Sequence, residues 1–251
     1  IPAGLAIALL GLPLVALILR APWVQLPELL SRSEVLQALG LSLATASIAT
    51  AVSLVLGIPL ALVLARSAEW PAVPRRLLRA LVTVPLVLPP VVGGVALLLL
   101  LGRRGLIGQF LPFQIPFSTS AVVIAQVFVA MPFLVLAVEG AVRASDRRFE
   151  TAAATLGATR WTILRRVTLP LVAPGVSAGA LLCFTRALGE FGATITFAGS
   201  FPGVTQTLPI ATYLELQRDP DAAIALSLTL MVVSVAVLVT LRDRWVPGLT
   251  S

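Results

Sequence analysis

The sequence contains no histidine, no lysine and a single cysteine. Without histidine there is no Ser-His triad, and without histidine or a second cysteine there is no ordinary zinc site, so no metal is expected. A Walker A motif needs a lysine on the nucleotide phosphates, so this chain by itself is not a P-loop ATPase. Cys183 lies inside an apolar run, has no partner for an intrachain disulfide and reads as core packing. Charge is also scarce: 12% of the residues are charged, against about 25% in a soluble domain.

What is present is apolar, with 58% hydrophobic residues and a mean hydropathy of +1.02. Apolar runs at about 1–19, 39–64, 81–101, 119–142, 170–198 and 222–241 each reach roughly the 20 residues that cross a bilayer as helix. The expected fold is therefore all-α and integral to the membrane, with six transmembrane helices in a single transmembrane domain over 1–251. The first run is long for a signal sequence and reads as a span kinked at Pro13. Small residues including Ser42, Ala46, Ala49 and Ser53 mark one face of the second span for close helix approach.

The net charge of +7 comes entirely from arginine on the basic side. A nucleic-acid partner does not follow, because the arginines stand at the ends of the apolar runs, which is a topogenic placement. Arg66, Arg75, Arg76, Arg79, six arginines between 143 and 166, Arg242 and Arg244 fall on one side of a six-span chain. Arg20, Arg32, Arg103, Arg104 and Arg218 fall on the other, and Arg186 lies within the fifth run. The positive-inside rule places the richer side, both termini and the loop 143–169 in the cytoplasm. That loop is the longest polar interruption in the chain. It reads as two short helices hinged at Gly157, a glycine suited to the left-handed residue that closes a helix, with Thr159 as N-cap of the second.

The loop resembles the signature loop of permease subunits of bacterial ATP-binding-cassette importers. That pattern is Glu-Ala-Ala, three residues, Gly, nine residues, Ile, one residue, Leu-Pro. Aligned on Gly157, this chain supplies Thr151-Ala152-Ala153, Gly157, Val167 and Leu169-Pro170. Thr151 stands where the glutamate is expected, with Glu150 one residue earlier, and Val167 replaces isoleucine. The resemblance covers roughly 36–244. It implies a type I importer transmembrane fold in which Glu150, Thr151, Ala152, Ala153, Thr155, Leu156, Gly157 and Ala158 form a coupling helix on an ATPase. It further implies no catalytic residue and no cofactor on this chain, with ATP and Mg on the partner ATPase. The implied partners are a second copy of the chain, two ATPase subunits, an extracytoplasmic binding protein and the lipid of the bacterial inner membrane.

Other segments look like oxyanion permeases of the sulfate and molybdate groups: residues 85–94, Gly102-Arg103-Arg104-Gly105, and residues 186–194. Residues 195–200 and 206–213 are closer to the molybdate/tungstate branch. The expected function is thus molybdate or tungstate import. The alternatives are a sulfate, thiosulfate or phosphate permease of the same family and an ion-coupled secondary transporter, which usually carries internal repeats; none is evident.

Two segments would line the path. Pro85, Pro89, Pro90, Gly93 and Gly94 make the third run either a kinked helix held by its neighbours or a broken helix lining a cavity. The fifth run carries Arg186, Gly189, Glu190, Thr194 and Thr196. Arg186 and Glu190 share a helix face. An uncompensated arginine at mid-span costs about 2.5–3.5 kcal/mol on insertion scales, which Glu190 offsets. The pair reads either as a structural tie or as part of the route, Arg186 attracting the anion and Glu190 keeping it from being trapped. Thr194, Thr196, Thr205 and Thr207 either replace water around a tetrahedral anion or serve as ordinary caps and turns. Arg103, Arg104, Thr205 and Thr207 are the candidate contacts for a binding protein; the two arginines serve equally as an anchor at the membrane surface.

Overall fold

The computed structural model describes residues 2–245, and every regular element among them is a helix. Ile1, residues 246–251 and the side chains of 238 and 240–245 lie outside the description, and with them the side chains of Arg242 and Arg244. In chain order the helices are α1 (Pro2–Leu19), α2 (Leu26–Ser31), α3 (Ser33–Arg66), α4 (Ala72–Val87), α5 (Pro90–Leu101), α6 (Thr119–Ala144), α7 (Arg148–Thr155), α8 (Arg160–Ile163), α9 (Leu169–Leu188), α10 (Gly192–Ala198), α11 (Leu208–Glu215) and α12 (Pro220–Trp245). Five helical stretches are long and apolar enough to cross a membrane, and the bent pair α4–α5 makes a sixth.

The core is built around α6, which packs against α3, α9, α10, α4 and α5. In lipid there is no hydrophobic drive to bring helices together, so the contact must come from close backbone approach. Glycine and alanine supply it. A Cβ on Gly57 of α3 would lie 3.2 Å from Leu134 Cδ2, and one on Gly179 of α9 would lie 3.0 Å from Ala137 Cβ. The small face of α3 buries Ser42, Thr45, Ala46, Ala49 and Ser53 at helical spacing. Ser42 does more: its Oγ accepts from the Leu208 N–H at 2.7 Å, satisfying a buried amide at the start of α11. By contrast α1, which touches α12, buries none of its residues.

Two runs expected to be single spans are broken. The proline-rich third run is the broken helix rather than the smooth kink: α4 and α5 meet at 117° across Leu88 and Pro89. Successive prolines remove two N–H donors, and the residue before a proline is driven out of the helical region; both Leu88 and Pro89 have ψ of 133°. The fifth run, expected over 170–198, parts at Gly189 into α9 and α10. At its other end the chain runs without a break through Leu169-Pro170. The residues Leu164–Thr168 form a π-helical turn that joins α8 to α9. Pro170 lacks an N–H and its ring would strike a carbonyl four residues back, and the wider π turn relieves that conflict. The second arm of the 143–169 hairpin is therefore one piece with a membrane span.

The crossing of the two half-helices gives a direct check. A Cβ at Gly94 of α5 would lie 2.8 Å from Ala193 O and 2.8 Å from Thr196 Cβ of α10, so Gly94→Val is expected to cost on the order of 1–3 kcal/mol as overpacking. Gly40 has nothing within 4 Å, and Gly40→Ala is expected to be neutral or slightly stabilising. Thermal unfolding of the detergent-solubilised protein compares them, and equal midpoints would rule out the close crossing.

Candidate functional site

The two breaks lie side by side. A Cβ on Gly192, the first residue of α10, would lie 2.9 Å from Pro90 Cβ and 3.2 Å from Val91 N at the start of α5. The two half-helices thus begin together and cross at Gly94 and Ala193. This brings residues from two distant parts of the sequence into one place. Pro89, Pro90 and Gly189 are exposed there, while Gly93 is turned inward against Phe128.

Arg186 and Glu190 close the site. Arg186 Nη1 lies 2.6 Å from Glu190 Oε2. The other carboxylate oxygen accepts from the Ala193 N–H at 2.8 Å. One carboxylate therefore neutralises a guanidinium within the membrane and caps the first turn of α10, where the helix dipole also favours negative charge. Glu190 is 1% exposed but Arg186 is 28% exposed. A partly open guanidinium in a membrane span belongs on a face covered by protein or water rather than hydrocarbon. Thr194 is fully buried, and its Oγ1 finds no hydrogen-bond partner among the described residues. Thr196 Oγ1 donates to Gly192 O at 2.8 Å, an ordinary back-bond within its helix.

At the far end of α5, Gly102, Gly105 and Gly108 fold the chain into turns too tight for a side chain, and Arg103 and Arg104 stand exposed on them. Arg103 faces Gln114, whose amide oxygen, when turned toward it, accepts at 2.8 and 2.9 Å. The two threonines grouped with these arginines are elsewhere. Thr205 is fully buried and accepts the Phe201 N–H at 2.8 Å, closing a turn, and Thr207 is 1% exposed. A docking partner reaches neither in this conformation.

The hairpin over 143–169 has the two-arm form expected. α7 ends at Thr155, Gly157 takes φ +82°, and Thr159 Oγ1 accepts the Thr162 N–H to start α8. Thr151, Ala152, Thr155, Leu156 and Gly157 are exposed, and Ala153 and Ala158 are half-buried. Phe149, Leu156 and Trp161 stand out into solvent, Leu156 at 88% exposure. Large exposed apolar side chains on a projecting loop are the kind of surface that meets another protein or a membrane. Glu150 points the other way. It accepts from Thr168 Oγ1 at 2.6 Å and lies 3.6 Å from Arg66 Nη2, so it ties the first arm to the second and both to the end of α3. Thr151, at the position where the importer pattern has its glutamate, is exposed and donates to Arg147 O.

A further ionic group holds this end together, and sequence reading passed over it. Glu139 of α6 is 4% exposed and pairs with Arg79 of α4 and, at 2.8 Å, with Arg143 one turn on. Arg143 Nη2 also reaches Leu64 O of α3 at 3.4 Å. The signal was present: an acid inside an apolar run with an arginine four residues later shares its face.

The core is a bundle of membrane-length helices in which two broken spans meet beside an ion pair, with a hairpin projecting from the arginine-rich end. The chain belongs to the family described as binding-protein-dependent transport system inner membrane component, whose family model matches residues 57–247. It is 51% identical over 247 residues to the molybdenum transport system permease protein ModB of Mycobacterium tuberculosis, covering 97% of this chain and 92% of that one. Identity to the Escherichia coli K12 protein of the same name is 40% over 213 residues, covering 83% and 92%. The sulfate transport system permease protein CysT of E. coli K12 is 33% identical over 247 residues, covering 94% and 88%. Among solved structures, a bacterial ABC transporter involved in alginate import superposes with a TM-score of 0.75 at 16% identity, over 100% of this chain and 94% of that one. The inward-facing methionine transporter MetNI gives 0.67 at 18%, over 83% and 93%. The fold is that of a type I ABC importer transmembrane domain, and the chain is a multi-pass permease of the inner membrane, not an enzyme. A binding protein and an ATPase are its partners.

The buried acid makes a directional prediction. Arg79→Gln with Arg143→Gln strands Glu139 without a counter-charge, and breaking a buried pair in this way costs about 3–5 kcal/mol. Glu139→Gln leaves two arginines that are 47% and 45% exposed and can hydrate, so its cost is expected to be smaller. Melting of the purified protein gives the order, and the reverse order would refute the role of Glu139.

Proposed function

We propose that this chain is the permease subunit of an ATP-driven importer of molybdate or tungstate, working as a homodimer with two ATPase subunits and an extracytoplasmic oxyanion-binding protein. The observation that carries the substrate is the 51% identity, over nearly the whole chain, to a permease named for molybdenum transport. The sulfate-named relative supports sulfate as the second reading, at the lower identity of 33%.

In this reading both termini and the hairpin are cytoplasmic, and ATP and Mg are held by the ATPase alone. The exposed surface from Thr151 to Gly157, with Ala153 and Ala158 beneath it, seats on the ATPase. Glu150 holds that surface rigid rather than touching the partner, because its carboxylate is engaged with Thr168 and Arg66. Since α8, the π turn and α9 are one continuous element, a push on the hairpin tilts α9, and the tilt is felt at Gly189 where the helix ends. The path runs beside the paired breaks, past Pro89, Pro90, Gly189 and the open edge of Arg186, between two copies that rock about it. Glu190 keeps Arg186 from holding a divalent oxyanion too tightly, since a route must release what it binds. Arg103 and Arg104 face the binding protein.

Reconstituted vesicles holding the permease, ATPase and binding protein test this. Uptake of labelled molybdate is expected to need ATP, to persist with an ionophore and to resist a large excess of sulfate. Uptake that survives without ATP and collapses with the ionophore would sink the reading. Gly157→Glu places a β-carbon in a left-handed conformation, about 1–2 kcal/mol less favourable, and a charge on the contact surface. It is expected to insert normally and to lose uptake together with binding of the ATPase. Arg186→Leu alone strands Glu190, whereas Arg186→Leu with Glu190→Gln removes both charges. The double variant is expected to recover stability but not uptake, and recovered uptake would make the pair purely structural.

A further inference from the structure

Beside the Glu139 group is a feature that neither transport nor coupling uses. Arg75, Arg76, Arg79 and Arg143, with Ala68, line a cavity of about 340 Å³. Glu139, in contact with Arg79 and Arg143, is the carboxylate paired with this group. Arg75 Nη1 donates to Ala68 O at 3.0 Å, which fixes one wall. The cavity therefore carries a strong positive surplus at the membrane end that the arginine distribution marks as cytoplasmic.

The helix that supplies three of these arginines is amphipathic, and among the described residues no other helix of this chain covers its apolar stripe. Val73, Leu77, Leu81 and Val84 of α4 are 66, 65, 72 and 48% exposed, and Val87 is 84% exposed. Their spacing of three and four places them on one face. Arg76 borders that face, one turn before Ala80. Val82, on the opposite side, is buried in the core with Leu134 and Val138. Trp70, 43% exposed, stands just ahead of the helix, the position of an aromatic anchor at a membrane surface. A basic pocket that opens beside an apolar stripe asks for one ligand with an anionic head and a hydrocarbon body.

We propose that this cavity is a binding site for an anionic phospholipid, its phosphodiester held by Arg75, Arg76 and the open edges of Arg79 and Arg143, and its acyl chains laid along the exposed stripe of α4. Guanidinium groups suit phosphate oxygens through paired N–H donors, and an anionic leaflet draws clustered arginines beside an amphipathic helix. A soluble anion would fill the pocket but leave the stripe bare, and an acidic protein surface would meet the arginines from the water side and do the same. Because α4 leads directly into the break at Leu88 and Pro89, a lipid held here fixes the lower half of the broken third span.

The test uses the assembled transporter, permease with its ATPase subunits, in a neutral detergent, with dioleoylphosphatidylglycerol or dioleoylphosphatidylcholine added in steps and thermal unfolding as the readout. Phosphatidylglycerol is expected to raise the midpoint where phosphatidylcholine does not. Arg75→Gln with Arg76→Gln, which leaves the Glu139 pairs intact, is expected to lose most of that rise, and Arg103→Gln with Arg104→Gln, an equal loss of charge at the other end, to keep it. Native mass spectrometry of the wild-type complex is expected to retain bound phosphatidylglycerol, which stands even if the variant folds poorly. Equal responses to the two lipids, or equal loss in the two double variants, overturns the site. A rise reproduced by inorganic phosphate assigns a free-anion site instead, and loss of the ATPase from the Arg75/Arg76 variant assigns these arginines to the ATPase interface; either result overturns the lipid. The readout does not involve transport, so its failure is separable from failure of the import reading.

Discussion

Everything in this structure depends on how a polar backbone interrupted at membrane depth is kept out of lipid. Prolines and a glycine leave N–H and C=O groups without helical partners at two places, and hydrocarbon offers them nothing. The fold meets this by bringing the two interruptions together. Gly94 and Gly192 let α5 and α10 approach backbone to backbone, and α6 covers them on the inner side. At the second break Glu190 takes the Ala193 N–H, and at the first the Leu88 N–H still reaches Val84 O. The same arrangement leaves Pro89, Pro90 and Gly189 exposed, so the contact that closes the core also leaves an open surface beside the breaks.

Charge within the membrane follows the same logic of shared use. Glu190 balances Arg186 and caps α10 at once. Glu139 binds Arg79 and Arg143 and so joins α4 to α6 at the arginine-rich end of the spans. Neither acid is a surface ion pair of small worth, because each is almost fully buried and the loss of its partner would leave an uncompensated charge. One tie holds α4, the first half of the third span, to α6; the other stands at the break between α9 and α10.

The hairpin shows where spacing informs and where it misleads. Its outline was legible: Gly157 in the left-handed region, Thr159 as cap, and a first arm ending at Leu156 all follow from local chemistry. The departure from the importer pattern at Thr151 was legible too, but not its meaning. Glu150 looked displaced by one residue; in the structure it is the residue that reaches Thr168 and Arg66, while Thr151 faces solvent. A one-residue step turns a side chain by about 100° around a helix, and only the positions of the second arm and of α3 decide which direction finds a partner. The smooth passage through Pro170 was likewise hidden, since a π turn depends on neighbours that hold the wider backbone in place.

The sequence by itself determined the class: apolar runs of membrane length, an excess of arginines on one side, no lysine for a Walker A motif, and a loop spacing that pointed to a permease driven by another chain. These are properties of composition and local order, set by the cost of placing polar groups in hydrocarbon, and they need no partner in space. Only the tertiary structure decided that residues 85–94 and 186–196 form one site, that Thr205 and Thr207 are interior turn residues, and that Glu139 is the buried tie between two arginines. Those facts depend on which helix faces meet. Several helix pairings satisfy the same pattern of small residues, and the choice among them is made by close packing over the whole bundle at once.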